Sequence, residues 1–421
     1  MLKLYLIFLS SALVCAQITK ADSVCSVIDQ PGNYEYGADN IVSPSDPDDA
    51  IVCITSSNVV VDLGEHVFAQ TPGNTVGGLN GVVISADLKN VTLRNGNIGN
   101  VTGAGIIVNE GCENIVIENI QIRECPAGGI LLAGTSLNAI KDGSIIDCLV
   151  LSCTGNNGGP AYGMRLVECD NFVLKNCVFE NNDAGTIASG FGLSLENCDS
   201  CKIVDCSAQN NGGNILGVGI SLFQCRWAIV RNCNSMNTIA RSASGTSKAV
   251  GFLINDCDHN TLTDCIVKHS NSSLSQSYGF ELLDGSDNMC VLCNSRNNSG
   301  ATVAAGFAIN GTESQTALME CTSRINNGGV AGTGYGIYIN GPQNCDIWQN
   351  KLIGNTGLIG VGLKDTTTDT TNLIAGNLSF QNTTTAFDVN RTSGSLPVLF
   401  ATVGDFSTIA SASDYENIAF T

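Results

Sequence analysis

The sequence predicts an all-β chain, a right-handed parallel β-helix (solenoid) of about 11–12 coils with an N-terminal and a C-terminal cap. Three observations carry this. Between Gly81 and Gly362 the chain returns eleven times to a glycine, an aliphatic or aromatic residue, any residue, and usually Ile or Leu, as in Gly105-Ile-Ile-Val108 and Gly306-Phe-Ala-Ile309. Units of that size cannot bury a core alone and must stack. A second landmark, most often Cys after Asn or Asp, follows the glycine by 14 residues in six units (Gly163 to Cys177, Gly192 to Cys206, Gly219 to Cys233, Gly251 to Cys265, Gly279 to Cys293, Gly336 to Asn350) and by 15 in the Gly306 unit. From landmark to next glycine the count instead wanders between 12 and 18. One half of each unit is thus held in register with its neighbours, and the other is surface loop. Third, apolar residues of the constant half alternate with a period of two, as in Phe172-Val-Leu-Lys-Asn-Cys-Val-Phe179, with no sustained 3.6-residue stripe. A leucine-rich repeat would show a Leu-x-x-Leu-x-Leu frame, and propeller blades would be longer.

From the N-terminus, Lys3, an apolar run through Val14 and the small-residue pattern Val14-Cys-Ala16 predict a signal peptide over residues 1–16. Residues 17–55 hold three of the eight prolines and read as the N-terminal cap. Residues 56–390 read as the helix, ending in a weak repeat at Ala386-Phe-Asp-Val389, and residues 391–421 as a C-terminal cap or tail. Caps are expected because an open stack exposes unpaired strand edges. A tail could also trimerise, so monomer and homotrimer both remain open. No later apolar run is long enough to cross a bilayer, so the mature chain is expected to lack a transmembrane segment and to be secreted, periplasmic or at the cell surface. A net charge of −19 argues against nucleic acid as a partner.

Twenty cysteines in an exported chain first suggest a disulfide framework. The repeat points elsewhere. Cys148, Cys177, Cys206, Cys233, Cys265, Cys293 and Cys321 share one position, and Cys169, Cys198, Cys225 and Cys257 share another. Small, weakly polar thiols suit a narrow stacked interior. Cys25 and Cys53, both outside the repeat, form the disulfide candidate. No metal site is expected from the thiols, whose columns read as core filler.

Four residues after the landmark stand Asn181, Asn210, Asn237 and Asn297, with His269 in the intervening unit. Stacked Asn side chains can bond one another, and Asn tolerates the left-handed backbone of a tight bend. With these features the chain resembles the pectate-lyase-like superfamily of right-handed β-helix proteins over residues 56–390. Asn58-Val-Val-Val-Asp-Leu-Gly-Glu-His66 is similar to that superfamily's entry coil. The resemblance implies the fold and is nearly silent on function. Polygalacturonase-like members carry clustered aspartates and a Gly-His-Gly turn, whereas His66, His259 and His269 lie in no such turn. Pectate-lyase-like members carry a calcium site and an Arg-x-x-Pro context, which Pro126, Pro160 and Pro342 do not supply. Alginate epimerases carry Tyr-Gly-Phe-Asp-Pro-His, from which Tyr278-Gly-Phe-Glu-Leu-Leu-Asp284 departs after three letters.

The candidate ligand-binding residues are basic. Three residues after the landmark, consecutive units place Lys268, Arg296 and Arg324, with His269 beside them. Like charges ~5 Å apart repel, so a column of them points to an anionic linear polymer, unless acids such as Glu281 or Glu320 neutralise it. The carboxylates Glu281, Asp284, Asp256 and Asp258 fall on adjoining units and could hold calcium or act as an acid/base pair. Two readings follow. The first is a non-catalytic exported β-helix that binds glycans or another surface through its stacked loops. The second is a polysaccharide lyase, glycoside hydrolase or epimerase acting on an anionic polysaccharide.

Overall fold

A typical coil is built around three short strands joined by bends, and one coil shows the pattern. Ala161–Val167 enters a first sheet, Val173–Lys175 a second and Val178–Glu180 a third, before a loop leads to Gly190–Glu196, back in the first. The bends fall on Glu168, Asn171, Asn176 and Asn181, with φ of 49°, 58°, 53° and 57°. Asn and Asp are the non-glycine residues that visit this region most cheaply, which is why they punctuate the sequence. The computed structural model describes residues 15–18, 26–42, 50–72, 77–155, 158–185, 188–242, 247–311, 315–341, 344–366, 372–389, 400–402 and 417–419.

The first sheet has 14 parallel strands in strict chain order, from Ser26–Ile28 to Thr385–Val389. At one rung per strand it runs about 62 Å. Stacking begins before the first repeat glycine. Ser26–Ile28 pairs with Ala50–Ile54, and Gly32–Tyr36 with Val59–Asp62, so coils already occupy much of the segment read as a cap. These early coils lack the glycine, so the repeat does not mark them. At the far end Asn417–Ala419 pairs with both Leu378–Phe380 and Phe400–Thr402. The signal-peptide expectation falls, up to residue 14, outside the described residues; Cys15–Ile18 pairs with Gly32–Tyr36. No helix among the described residues is long and apolar enough to cross a membrane.

The repeat glycine is a matter of space, not of handedness. A Cβ on Gly279 would overlap Ser295 Oγ, which enters from the third sheet, and would lie 2.6 Å from the Gly306 carbonyl oxygen. The residue after the glycine then fills the core. Phe252, Phe280 and Phe307 stack at centroid spacings of 5.0 and 4.8 Å.

The cysteines occupy one kind of place. Of the 17 free thiols among the described residues, all buried, 16 directly follow a positive-φ residue; Cys290 is the exception. At such a corner the side chain turns inward and the thiol donates to the carbonyl two residues back, as in Cys177 to Lys175 O (3.4 Å) and Cys233 to Arg231 O (3.3 Å). A corner cysteine is therefore both filler and a weak donor to a bent backbone. Asn does the same job with more reach. Asn350 and Asn377 continue the Cys148–Cys321 column, Asn350 Nδ2 donating to Asn377 Oδ1 at 2.9 Å and to Leu318 O at 2.9 Å. Cys53 is disulfide-bonded; Cys25, its expected partner, lies outside the described residues.

The predicted Asn column is only half of the device. Asn181, Asn210, Asn237, His269 and Asn297 all take positive φ, and Asn237 Nδ2 donates to Asn210 Oδ1 at 3.0 Å. His269 interrupts that ladder. The stronger one lies a residue later and inside, running Asn298, Asn326, Asn355 and Asn382 with amide-to-amide distances of 2.7, 2.8 and 2.8 Å. The loops that follow are also more regular than expected. Gly212–Gly213, Ile239–Ala240, Asn271–Ser272 and Ser299–Gly300 form a four-stranded ribbon.

Asn326→Ala should destabilise the chain by about 2–3 kcal/mol, since it strands buried groups on two rungs, and equilibrium denaturation measures this. Native protein should leave the 17 described thiols unreactive to Ellman's reagent, while guanidinium should release all of them.

Candidate functional site

The third sheet brings the predicted basic residues together. Lys268 stands in register with Arg296, and Arg296 with Arg324. Arg296, Arg324 and His269 are exposed and Lys268 is half-buried. Among the described residues no carboxylate pairs with any of them. The flanking outward positions, Ile266, Asn294, Thr322 and Lys351, contain no acid and add a fourth cation. The sequence reading missed Lys351 because it sits one step after its landmark rather than three. Ile325, beside Arg324, holds φ of 55° while half exposed, an unusual state for a β-branched residue.

Glu281 is not the counter-ion of this column. It lies on the outer face of the first sheet, 0% exposed, within a second apolar cluster that includes Val250, Leu253, Tyr278, Ala305 and Ala308. Its Oε1 accepts from Lys248 Nζ at 2.7 Å and from Asn310 Nδ2 at 3.0 Å, while Oε2 has no hydrogen-bond partner. Lys248 Nζ also lies 5.5 Å from the Tyr278 ring centroid. Burial, reinforced by the Glu281 charge, pushes the Tyr278 hydroxyl well above its usual range, so it stays protonated. A similar grouping recurs lower on the same face, where Arg165 makes a bidentate pair with Glu196 (2.8 and 2.5 Å) and covers the Tyr162 ring at 5.0 Å. Gly279 and Phe280 follow from the repeat, but nothing in the sequence flagged Lys248, which stands at the end of a variable loop.

Of the carboxylates proposed for calcium or acid/base work, Glu281 lies on the first sheet, while Asp256 and Asp284 sit at equivalent bends on adjoining rungs, with φ of 53° and 54°. Asp256 accepts from Gln224 Nε2 at 2.8 Å, and Asp258 from the Ser286 N–H and hydroxyl at 2.8 and 2.9 Å. Glu320, the other expected counter-ion, sits at a bend with φ of 54°. Among the described residues no three His, Cys, Asp or Glu side chains gather as a metal site would require.

A family model described as a right-handed beta helix region matches residues 45–234. No curated protein matches the sequence. Among solved structures, the chain is similar to a periplasmic alginate epimerase, AlgG (10% identity, 72% of this chain and 83% of that one, TM-score 0.44). It is also similar to PfbA, a surface adhesin of Streptococcus pneumoniae (10%, 78% and 84%, TM-score 0.45), and to the pectate lyase Pel9A (11%, 69% and 70%, TM-score 0.40). At this identity no site residue is carried over from any of them.

Lys248→Met should cost about 3 kcal/mol, because it leaves the Glu281 charge buried without a cation. Adding Glu281→Gln should recover most of the loss. Paired denaturation curves read both.

Proposed function

We propose that this chain, a right-handed parallel β-helix of the pectate-lyase-like type, is a glycan-recognition protein that binds an acidic polysaccharide along its third sheet, outside the cytoplasm. One observation supports this above the others. On a chain of net charge −19, Lys268, Arg296 and Arg324 stand on three consecutive rungs with no acidic partner among the described residues. Cations ~4.8 Å apart repel one another, and a row of carboxylate or sulfate groups relieves that repulsion. Arg offers the planar fork that grips such groups in pairs. The column runs along the axis over three consecutive rungs, which suits a long polymer rather than a small molecule.

A second reading, an enzyme acting on the same class of polymer, is favoured by Glu281. A buried carboxylate with one unpartnered oxygen, braced by Lys248, is a candidate proton-transfer group. It lies on a different sheet from the basic column, so the two readings separate by mutation.

Calorimetry of the mature protein with polygalacturonate and with alginate at low salt should show binding that weakens as salt rises. Replacing Lys268, Arg296 and Arg324 together by Ala should weaken it at least about tenfold, equivalent to ~1.4 kcal/mol. Unchanged affinity in the triple variant would remove the basic column from the reading. Incubation products with unsaturated, cleaved or epimerised uronates, lost in Glu281→Gln, would establish the second reading instead.

A further inference from the structure

The bend between the first and second sheets contains a residue that the fold does not explain. Asn171, Ser200, Trp227, His259 and Asp287 occupy equivalent bends on five rungs, with φ between 55° and 59°. The backbone ladder runs through them without a break, Ser200 N donating to Arg226 O at 2.8 Å, Trp227 N to Asp258 O at 3.2 Å and His259 N to Ser286 O at 2.9 Å. Asn, Ser and Asp suit that conformation, and a bulky aromatic does not. Burial does not offset the mismatch, for Trp227 is 57% exposed. It is one of only two tryptophans in the chain, so the position is not a by-product of a Trp-rich composition.

The surroundings are arranged to hold the indole flat and leave one side open. His259 stacks on it from the next rung, with centroids 4.1 Å apart and planes inclined by 11°, and His259 Nδ1 lies 3.3 Å from Asp287 Oδ2. One face of the indole is thus backed by a ring that is itself tethered. On the rung before, the equivalent residue is Ser200, whose side chain ends at a hydroxyl and cannot cover the other face. Beside it Arg226 reaches back to that rung in a bidentate pair with Asp199, at 3.1 and 2.7 Å. Arg226 and Asp199 form one wall of an open polar cavity of about 420 Å³ that also takes in Lys141, Asp170 and Gln224. Burial raises the Asp170 carboxyl above its usual range.

We infer that the Trp227–His259 stack and the adjoining Arg226–Asp199 pair form a second saccharide subsite, one that takes an uncharged pyranose unit. An aromatic face covers the C–H face of a sugar ring, and flanking fixed donors and acceptors reach its hydroxyls. The choice of an uncharged unit follows from the electrostatics. The lining of this cavity holds two cations, Lys141 and Arg226, against three carboxylates, Glu168, Asp170 and Asp199, so, unlike the third-sheet column, it has no positive charge left to hold an anion. The site lies at a different corner of the coil from Lys268, Arg296 and Arg324, and stands or falls independently of the basic column.

The test titrates the full-length mature protein with neutral cello-, xylo- and galacto-oligosaccharides, following tryptophan fluorescence and saturation-transfer NMR. At least one series should bind, Trp227→Phe should retain part of the affinity, and Trp227→Asn should lose about tenfold or more. Trp227→Asn should also leave the thermal midpoint unchanged or raised, since Asn suits the bend, which a purely structural tryptophan would not allow. The triple Ala variant of Lys268, Arg296 and Arg324 should bind these neutral sugars as the parent does. Absence of binding by all three series, or binding that survives Trp227→Asn, would overturn the inference.

Discussion

Everything in this molecule depends on keeping successive coils in register through bends that take left-handed backbone conformations. A bend of that kind turns one side chain outward and the next inward, and points carbonyls where the regular ladder cannot fully use them. Apolar residues such as Ile115 and Phe172 fill some of these inward positions, and where a hydrogen bond is gained there the donor is most often Cys or Asn, the Cys148–Cys321 column passing into Asn350 and Asn377. Where Asn follows Asn, each amide bonds the next, and register is reinforced at every rung.

That constraint also explains why the cysteines need no partners. A thiol at a corner already has a carbonyl two residues back, so the described columns hold as free thiols. Among the described residues Cys53, which lies in the early coils before the repeat glycines begin, is disulfide-bonded. The glycine follows from the same geometry viewed from the first sheet. The strand there runs so close to the inward serines of the third sheet, such as Ser295 behind Gly279, that a methyl group has no room.

Chemistry is left to the outward positions, and the three faces differ. The third sheet carries Lys268, Arg296 and Arg324 with no paired acid among the described residues, Glu180 lying on the same column three rungs below Lys268. The first sheet carries ion pairs and aromatic rings, partly sealed into a second apolar cluster around Glu281. The bend between the first and second sheets carries the Trp227–His259 stack. A solenoid permits such separation because an outward residue is constrained only by its neighbours above and below, so each column can be set almost independently.

The period of the glycines, the constant 14-residue spacing and the two-residue alternation determined the fold, the core and the cysteine columns from sequence alone, because stacking forces equivalent residues to equivalent places. The basic column was legible for the same reason: Lys268, Arg296 and Arg324 lie at one offset from a rigidly spaced landmark. Only the tertiary structure decided what depends on the variable half of each unit or on contacts between columns. Lys248 reaches Glu281 across a rung from the end of a loop of variable length, which no count can anticipate. The inward Asn ladder differs from its outward neighbour by a single residue, and only the sense of the bend tells which one faces the core. Trp227 and His259 are 32 positions apart in a sequence whose spacing is irregular at that point. The register of two particular coils brings their rings face to face.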